Sequence, residues 1–340
     1  MSARARELRA AATVALTQDG FNALDSRGPG GALDGRFARS AVNEALGTPA
    51  RRPPAPNRAP IDFKVATWNV ENFFDSVNDP SRTDERATGG VIPTGAAVSA
   101  KSAALASVFR GISADVVALQ EVETRALLDD LANRIDPAPS HRVFVDSGTP
   151  ERRIVALLTR YPVLRVVNHS RESLGFAPGT KDAAFKHHLL EVELNVNGQT
   201  VVVLVQHQAA RADSPGSTGD PTRAFREAEA RYARDVANRL RAENPRLPVV
   251  VMGDFNDQST DASVGDWLKQ GYGSATQAVP SAQRYTNIYR PKPGVELRRD
   301  FDHILASPDL APTARSVFIH HEARRPGLSD LAPVEATFKL

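Results

Sequence analysis

Six side chains that offer hard oxygen, Asn69, Glu71, Glu121, Asp254, Asn256 and Asp330, stand at or beside short apolar runs. The chain has no Cys, and no two of its His residues sit at zinc-binding spacing. Oxygen donors favour Mg2+ or Mn2+, with Ca2+ as a further candidate, over zinc or copper. Such a cation polarises a phosphoryl oxygen, offsets charge that develops in the transition state and helps orient a nucleophile. The chemistry indicated is phosphate-ester hydrolysis. Taken singly, each segment is weak. Gly253-Asp254-Phe255-Asn256-Asp257 reads as a strand-to-turn junction whose polar side chains cap loop amides. Gln120-Glu121 reads as a helix N-terminus after a buried strand, and His207 as a satisfied strand-end histidine.

Five segments together say more: Thr67-Trp68-Asn69-Val70-Glu71-Asn72-Phe73, Ala118-Leu119-Gln120-Glu121-Val122-Glu123, Met252-Gly253-Asp254-Phe255-Asn256-Asp257, Phe301-Asp302-His303-Ile304-Leu305 and Ser329-Asp330-Leu331-Ala332-Pro333-Val334. In this order they resemble the endonuclease/exonuclease/phosphatase superfamily, the fold of deoxyribonuclease I. The resemblance covers residues 61–340 and implies a four-layer α/β/β/α sandwich of two mixed, mainly antiparallel sheets, with the site at the strand ends. It also implies roles. Glu121 is similar to the main metal carboxylate, with Asn69 and Glu71 beside it and Asp330 on the same side. Asp254 and Asn256 resemble the pair that orients the attacking water and the scissile phosphate. His207 resembles a phosphate-contacting His, and Asp302 the residue that orients a catalytic imidazole.

That imidazole is missing. Where the family closes on Ser-Asp-His, this chain has Leu331, which cannot accept a proton from water. Neighbouring family positions also drift: Gln206-His207-Gln208-Ala209-Ala210 replaces Asn-His-x-Lys-Ser. Residues around Glu151-Arg152-Arg153-Ile154 replace an Arg-Gly, and His187-His188 stands where an Arg is customary. Two readings stay open. One is a metal-dependent phosphodiesterase of altered activity, in which the metal or another His stands in for the base. The other is an inactive relative that still binds metal and a phosphate-bearing ligand or a protein partner.

The elements that must position these residues repeat as strand, loop and helix. Strands are expected at Phe63 to Trp68, Asp115 to Leu119, Arg142 to Val145, Ile154 to Thr159, Pro248 to Met252, Phe301 to Leu305 and Val334 to Phe338. A hairpin is expected from Leu189 to Gln206 through Asn197-Gly198. Helices are expected at Ala96 to Ile112, Thr124 to Ile135, Phe225 to Glu243 and Asp266 to Gln270. Helices flanking hairpin-bearing sheets suggest a β core of two layers with helices outside. Residues 1–47 read as a small helical appendage in preference to an EF-hand, since Arg27 and Pro29 stand where the loop needs oxygen ligands. The Pro/Arg-rich stretch 48–60 reads as a linker to a domain over 61–340.

Formal net charge is only +2, so no global field points to nucleic acid, although Arg290 to Arg299 and Arg324-Arg325 are locally basic. Arg290, Lys292, Arg298 and Arg299 are expected in a loop that runs along a nucleic-acid backbone, with Tyr285 and Tyr289 for stacking. Nucleic acid is thus the first-choice substrate, ahead of phospholipid or inositol phosphate, since aromatic-rich membrane-insertion loops are absent. No stretch approaches a membrane span, and Glu7 and Arg9 interrupt what would be a signal-peptide core. Compartment stays open, secretion included; a monomer is expected, with the N-terminal segment available to an unknown partner.

Overall fold

A computed structural model of the chain describes residues 59–79, 92–146, 153–175, 184–211 and 219–340. The appendage expected over 1–47, and all of the linker but Ala59 and Pro60, lie outside the described residues. Pro60–Leu340 forms a unit by itself. No helix among the described residues is long and apolar enough to cross a membrane.

The strands, in chain order, are β1 (Asp62–Phe73), β2 (Val116–Val122), β3 (His141–Phe144), β4 (Ile154–Thr159), β5 (Val163–Asn168), β6 (His188–Val196), β7 (Gln199–His207), β8 (Val249–Asp254), β9 (Gly273–Ser274), β10 (Asn287–Lys292), β11 (Val295–Arg299), β12 (Asp302–Ala306), β13 (Ala314–Ile319) and β14 (Val334–Lys339). The helices are α1 (Gly95–Ile112), α2 (Arg125–Arg134), α3 (Arg223–Glu243) and α4 (Ala262–Lys269). One six-stranded sheet runs β13-β14-β1-β2-β4-β3 and the other β5-β6-β7-β8-β12-β9, with β10-β11 a separate hairpin.

Each sheet has one parallel pair at its centre, β1 with β2 and β7 with β8; the other pairs are antiparallel. A parallel pair needs a crossover, and here α1 and α3 supply it. Thr94 caps α1 by accepting from the Ala97 N–H at 3.2 Å, and Thr124 caps α2 by accepting from Leu127. The Asn197-Gly198 turn has φ of 49° and 85°, as a two-residue primed turn requires.

Side-chain alternation sorts the core into layers. Phe63, Val65, Val116 and Ala118 of the first sheet meet Val203, Val205, Val250, Met252 and Ile304 of the second in one inter-sheet cluster. The alternate residues Ala66, Trp68, Val117 and Leu119 pack outward on Leu105, Phe109, Leu127 and Leu131 of α1 and α2. Val202, Leu204, Val249 and Val251 pack outward on Ala233, Val236 and Leu240 of α3. The result is the four-layer α/β/β/α sandwich that the resemblance implied.

Three expectations need correction. The basic segment read as a loop is the β10-β11 hairpin, with Asn287 opposite Arg299 and Tyr289 opposite Leu297. The short helix expected at Asp266 to Gln270 instead starts at Ala262, directly after Asp261. Gln120-Glu121 does not begin a helix but lies inside β2, where a left-handed Glu121 backbone interrupts the strand pattern.

Candidate functional site

Period-two alternation carries the polar residues to one place. Along β1 the inward series Phe63, Val65 continues to Thr67 and Asn69; along β2, Val116 and Ala118 continue to Gln120. Along β7, Val203 and Val205 lead to His207, along β8 Val250 and Met252 lead to Asp254, and β12 begins at Asp302. Parallel pairing puts the C-terminal ends of β1 and β2 on one edge and those of β7 and β8 on another. Antiparallel β12 sets Asp302 opposite Asp254. Apolar side chains fill the gap between the sheets up to that edge, where the series turns polar.

One amide joins the two sheets. The Asn69 Nδ2 donates to Glu121 Oε1 at 3.2 Å and to Asp254 Oδ2 at 2.9 Å. His207 Nε2 lies 3.9 Å from the same Glu121 oxygen and 3.8 Å from the same Asp254 oxygen. The other Asp254 oxygen accepts from the Asn256 N–H at 2.7 Å, while Asn256 Nδ2 donates to the Gln208 carbonyl at 3.0 Å.

Strict alternation would send Glu121 outward with Val117 and Leu119. Its φ of 66° breaks the alternation, and the β1-β2 and β2-β4 registers shift at the same level. Glu71, Asn72 and Asn256 also have positive φ, at 47°, 48° and 50°. Four non-glycine residues in this sparsely populated region, all at one end of the sandwich, mark backbone strain concentrated where chemistry is expected. The strain is held in place: Asn72 N–H donates to Glu121 Oε2 at 2.7 Å, Glu71 N–H to Asn69 Oδ1 at 3.0 Å, and Lys101 Nζ to the Glu71 carbonyl at 2.5 Å.

Electrostatics follow from crowding. Burial pushes the Asp254 carboxyl up to about 7, with repulsion from Glu121 and Asp330 adding to it. Partial desolvation of its carboxyl, then repulsion from Glu71 and Glu121, pushes Asp330 up to about 6, although the residue as a whole stays exposed. Burial lowers the Lys101 ammonium even though Glu71, Glu121 and Asp330 all favour its charge. Burial, then the neighbouring His187, Arg153 and His188, holds His207 well below its usual range, so its ring is neutral.

No three His, Asp or Glu side chains among the described residues converge tightly enough to enclose a cation by themselves. A hydrated Mg2+ needs only one or two protein carboxylates. Glu121, with Glu71 and Asp330 in mutual repulsion nearby, is an oxygen donor set that fits such an ion.

The closing segment is anchored by its backbone. Trp68 Nε1 donates to the Leu331 carbonyl at 2.9 Å, Ser329 Oγ donates to the Asn69 carbonyl at 2.7 Å and accepts from the Leu331 N–H at 3.0 Å. The Leu331 side chain is buried. Thr286 links it to Asp302: its carbonyl accepts from Ala332, and its hydroxyl accepts from the Asp302 N–H at 3.2 Å. Asp302 is fully buried, and neither carboxyl oxygen has a well-formed hydrogen bond, only a weak interaction with Thr286. Burial and the nearby Asp254 raise it well above the usual carboxylate range.

Arg298 and Tyr285 do not reach into this centre. Arg298 lies over the Tyr285 ring at 4.7 Å and pairs with Glu296, while His321 stacks on Tyr285 at 4.2 Å. Arg299 lies over Tyr289 and Phe301 at 4.6 and 5.5 Å. The hairpin nevertheless grows from the site, because Asn287 Nδ2 donates to Asp330 at 3.2 Å and Asn287 bridges Leu331.

Sequence reasoning missed Lys101, Arg153 and Asn287. Lys101 stands four residues before buried Leu105 and eight before Phe109, a cation on the core-facing stripe of α1, which is the signal that could have found it. Arg153 Nε lies 3.7 Å from Glu121 and donates to Asn72 at 3.1 Å, so an Arg does stand beside the central carboxylate; Glu151 and Arg152 lie outside the described residues.

Among curated proteins none matches the chain. Solved structures similar to it include TDP2 from Caenorhabditis elegans (TM-score 0.60, 17% identity, 100% of this chain and 94% of that one). D. rerio TDP2 complexed with a single strand DNA product is another (0.53, 18%, 82% and 98%). A third is a mannosyl-6-phosphatase of Bacteroides thetaiotaomicron (0.54, 15%, 82% and 99%). At such identities the likeness speaks to the fold. The model of the Endonuclease/Exonuclease/phosphatase family matches residues 66–330, a span running from the β1 motif to Asp330, and the chain belongs to that family.

Proposed function

We propose that the chain is a divalent-cation-dependent phosphodiesterase that cleaves nucleic-acid strands. The observation that carries this reading is the Asn69 amide shared between Glu121 and Asp254. It draws the cation-side carboxylate of one sheet and the water-orienting carboxylate of the other to one point, with His207 beside both. Glu121 would hold the cation with Glu71 or Asp330, and the bound ion would supply charge stabilisation at the phosphoryl oxygens. Asp254 and Asn256 orient the water, and Asp254, at about 7, has a proton affinity suited to accept its proton at neutral pH. His207, neutral and beside both Glu121 and Asp254, would bind the scissile group by donating to a phosphate oxygen. A polymeric substrate is favoured over a sugar phosphate because a hairpin bearing Arg290, Lys292, Arg298 and Arg299 is rooted at Asp330 through Asn287. The D. rerio neighbour with its single strand DNA product is consistent with that choice.

Buried Leu331 and the poorly satisfied Asp302 favour a second reading, an inactive relative that binds the same ligands. A panel of Mg2+ and Mn2+ against DNA, RNA, a small phosphodiester and a sugar phosphate decides between them, run beside Glu121→Gln and Asp254→Asn. Metal-dependent cleavage of the polymers that both substitutions abolish is the expected result. Turnover of the sugar phosphate alone overturns the substrate class, and binding of oligonucleotide without any cleavage selects the second reading.

A further inference from the structure

Helix α3 carries a glutamate that the reaction above does not use. Glu229 is fully buried. Its Oε1 accepts from the Lys186 N–H at 2.8 Å and its Oε2 accepts from the Ala209 N–H, also at 2.8 Å. Those amides belong to two different chain segments, and both segments lead into the site. Lys186 immediately precedes His187 and His188, while Ala209 follows His207 and Gln208. His188 and His207 are paired across β6 and β7, and the His187 ring lies on the His207 ring at 4.1 Å and 12°. The Gln208 N–H donates to the Asp254 carbonyl at 2.9 Å, and the Gln208 carbonyl holds the Asn256 side chain.

A tie between α3 and the sheet needs no charge; Ala233, Val236 and Leu240 of the same helix pack on it as apolar residues. Complete burial of a carboxyl opposes its ionisation, and burial does push Glu229 up to about 7, against the pull of its two amide donors, His187 and Arg226. Two amides on separate oxygens are met fully by a carboxylate, only weakly by the hydroxyl oxygen of a carboxylic acid, and on one oxygen alone by a carboxamide. The charged groups around it are known. Arg226, one turn earlier on α3, is committed to Asp220 and Asp257. From the facing segments come His187, His188, His207 and Lys186, the last directed over Phe225.

We propose that Glu229 is a positioning residue, whose carboxylate, by accepting both amides, fixes the His187–His207 stack on one side and the Gln208 carbonyl that holds Asn256 on the other. Its catalytic consequence rests on the phosphodiesterase reading; its structural part does not. The full-length chain, labelled with 15N, is titrated between about pH 5.5 and 8.5 beside Glu229→Gln. In the unaltered protein the Lys186 and Ala209 amides and the His207 ring resonances should move together through one transition. In a folded Glu229→Gln the Lys186 and Ala209 amides should no longer titrate, and the His207 ring should keep only the shift that Asp254, 3.8 Å away, imposes. Kinetically, turnover should fall about tenfold with KM nearly unchanged, while the rising limb that Asp254 imposes near pH 7 should persist.

Amides that titrate while His207 and the Asn256 side chain stay still would reduce Glu229 to a structural tie and overturn the proposal. If Glu229→Gln does not fold, Asp254→Asn, which removes the other carboxyl titrating beside His207, decides in its place: the concerted transition must survive in it or the proposal fails. A chain without phosphodiesterase activity, yet with the concerted transition, sinks the functional reading and leaves this one standing.

Discussion

At the scale of single residues the candidate site has one nameable gap. Asn69, Glu121, Asp254 and His207 form one contact network, yet Asp302 is buried beside Asp254 with no imidazole on it. Restoring His at position 331 should give Asp302 a partner. The backbone there is held by Trp68 and Ser329 regardless of the side chain, so Leu331→His should fold, with a cost of about 1–3 kcal/mol for a polar ring in a buried position. Turnover should then rise by roughly 10²-fold, the usual worth of a general base, with little change in KM, since the base acts in the transition state. Steady-state kinetics on an oligonucleotide reads both. A folded, metal-binding Leu331→His without any gain means that the drifted positions around His187 and Gln208 have closed the site.

At the scale of elements, Gly253 shows how tightly β7 and β8 are set. Its φ is 145°, and a Cβ there would meet the Gln206 carbonyl at 1.9 Å. That atom is backbone in a central strand, so it cannot swing aside. Gly253→Ala should destabilise by at least 2–3 kcal/mol on the order of such strain, seen as a lower denaturant midpoint with the slope unchanged. A midpoint within error of the parent would mean that β8 can shift and that Asp254 is not rigidly held. The β10-β11 hairpin gives a second test. Arg290→Ala with Arg298→Ala should weaken oligonucleotide binding and lower the salt slope by about one for each phosphate left without its Arg. Hydrolysis of a small phosphodiester should stay unchanged, since neither Arg reaches the carboxylates; a fall in both activities together would contradict a tracking role.

Much of this layout was legible in the sequence, for a physical reason. Period-two strands that reach Asn69, His207 and Asp254, and one that starts at Asp302, announce a polar edge to an apolar gap, and Asn197-Gly198 announces its hairpin. Illegible were the features set by distant partners. Glu121 taken singly reads as a helix start; its left-handed backbone, at the level where the registers on both sides of β2 shift, is not announced by the local pattern. The β10-β11 strands mix Ile288, Tyr289 and Val295 with Arg, Lys and Pro, and the Arg–aromatic stacking around them is not registered by local propensity. Lys101 enters the site from a helix 30 residues away from Glu71.

At the scale of the whole molecule, the carboxylates at the sandwich edge make stability depend on pH and on cation together. Asp254 at about 7, Asp330 at about 6 and Asp302 well above its usual range all bind protons more tightly in the folded state than in the unfolded one. The sign follows directly: between the unfolded carboxylate range near 4 and those folded values, the native state holds protons that the unfolded chain has lost, so unfolding free energy falls as pH rises. Asp220, lowered to about 2, works in the opposite sense only below pH 4; buried His207 and His303, lowered by burial, oppose the carboxylates up to the ordinary imidazole range, but are outnumbered once Glu229, raised to about 7, is added to the carboxylates. Buried Asp254 alone shifts by enough to matter at about 1.4 kcal/mol per unit, and a few kcal/mol shared over the coupled carboxylates is the expected scale. The metal-free protein should therefore melt lower at pH 8 than at pH 5. A divalent cation offsets the repulsion only where the carboxylates are ionised, so millimolar Mn2+ should raise the melting temperature at pH 8 and barely change it at pH 5. At about 100 times its dissociation constant the ion adds roughly 2.7 kcal/mol, enough to read in a thermal scan. Glu121→Ala should abolish the Mn2+ shift while leaving the pH dependence that Asp254 and Asp302 impose. If Mn2+ moves the melt equally at both pH values, the ion is bound elsewhere, and the edge carboxylates are an uncompensated charge cluster instead of a cation site.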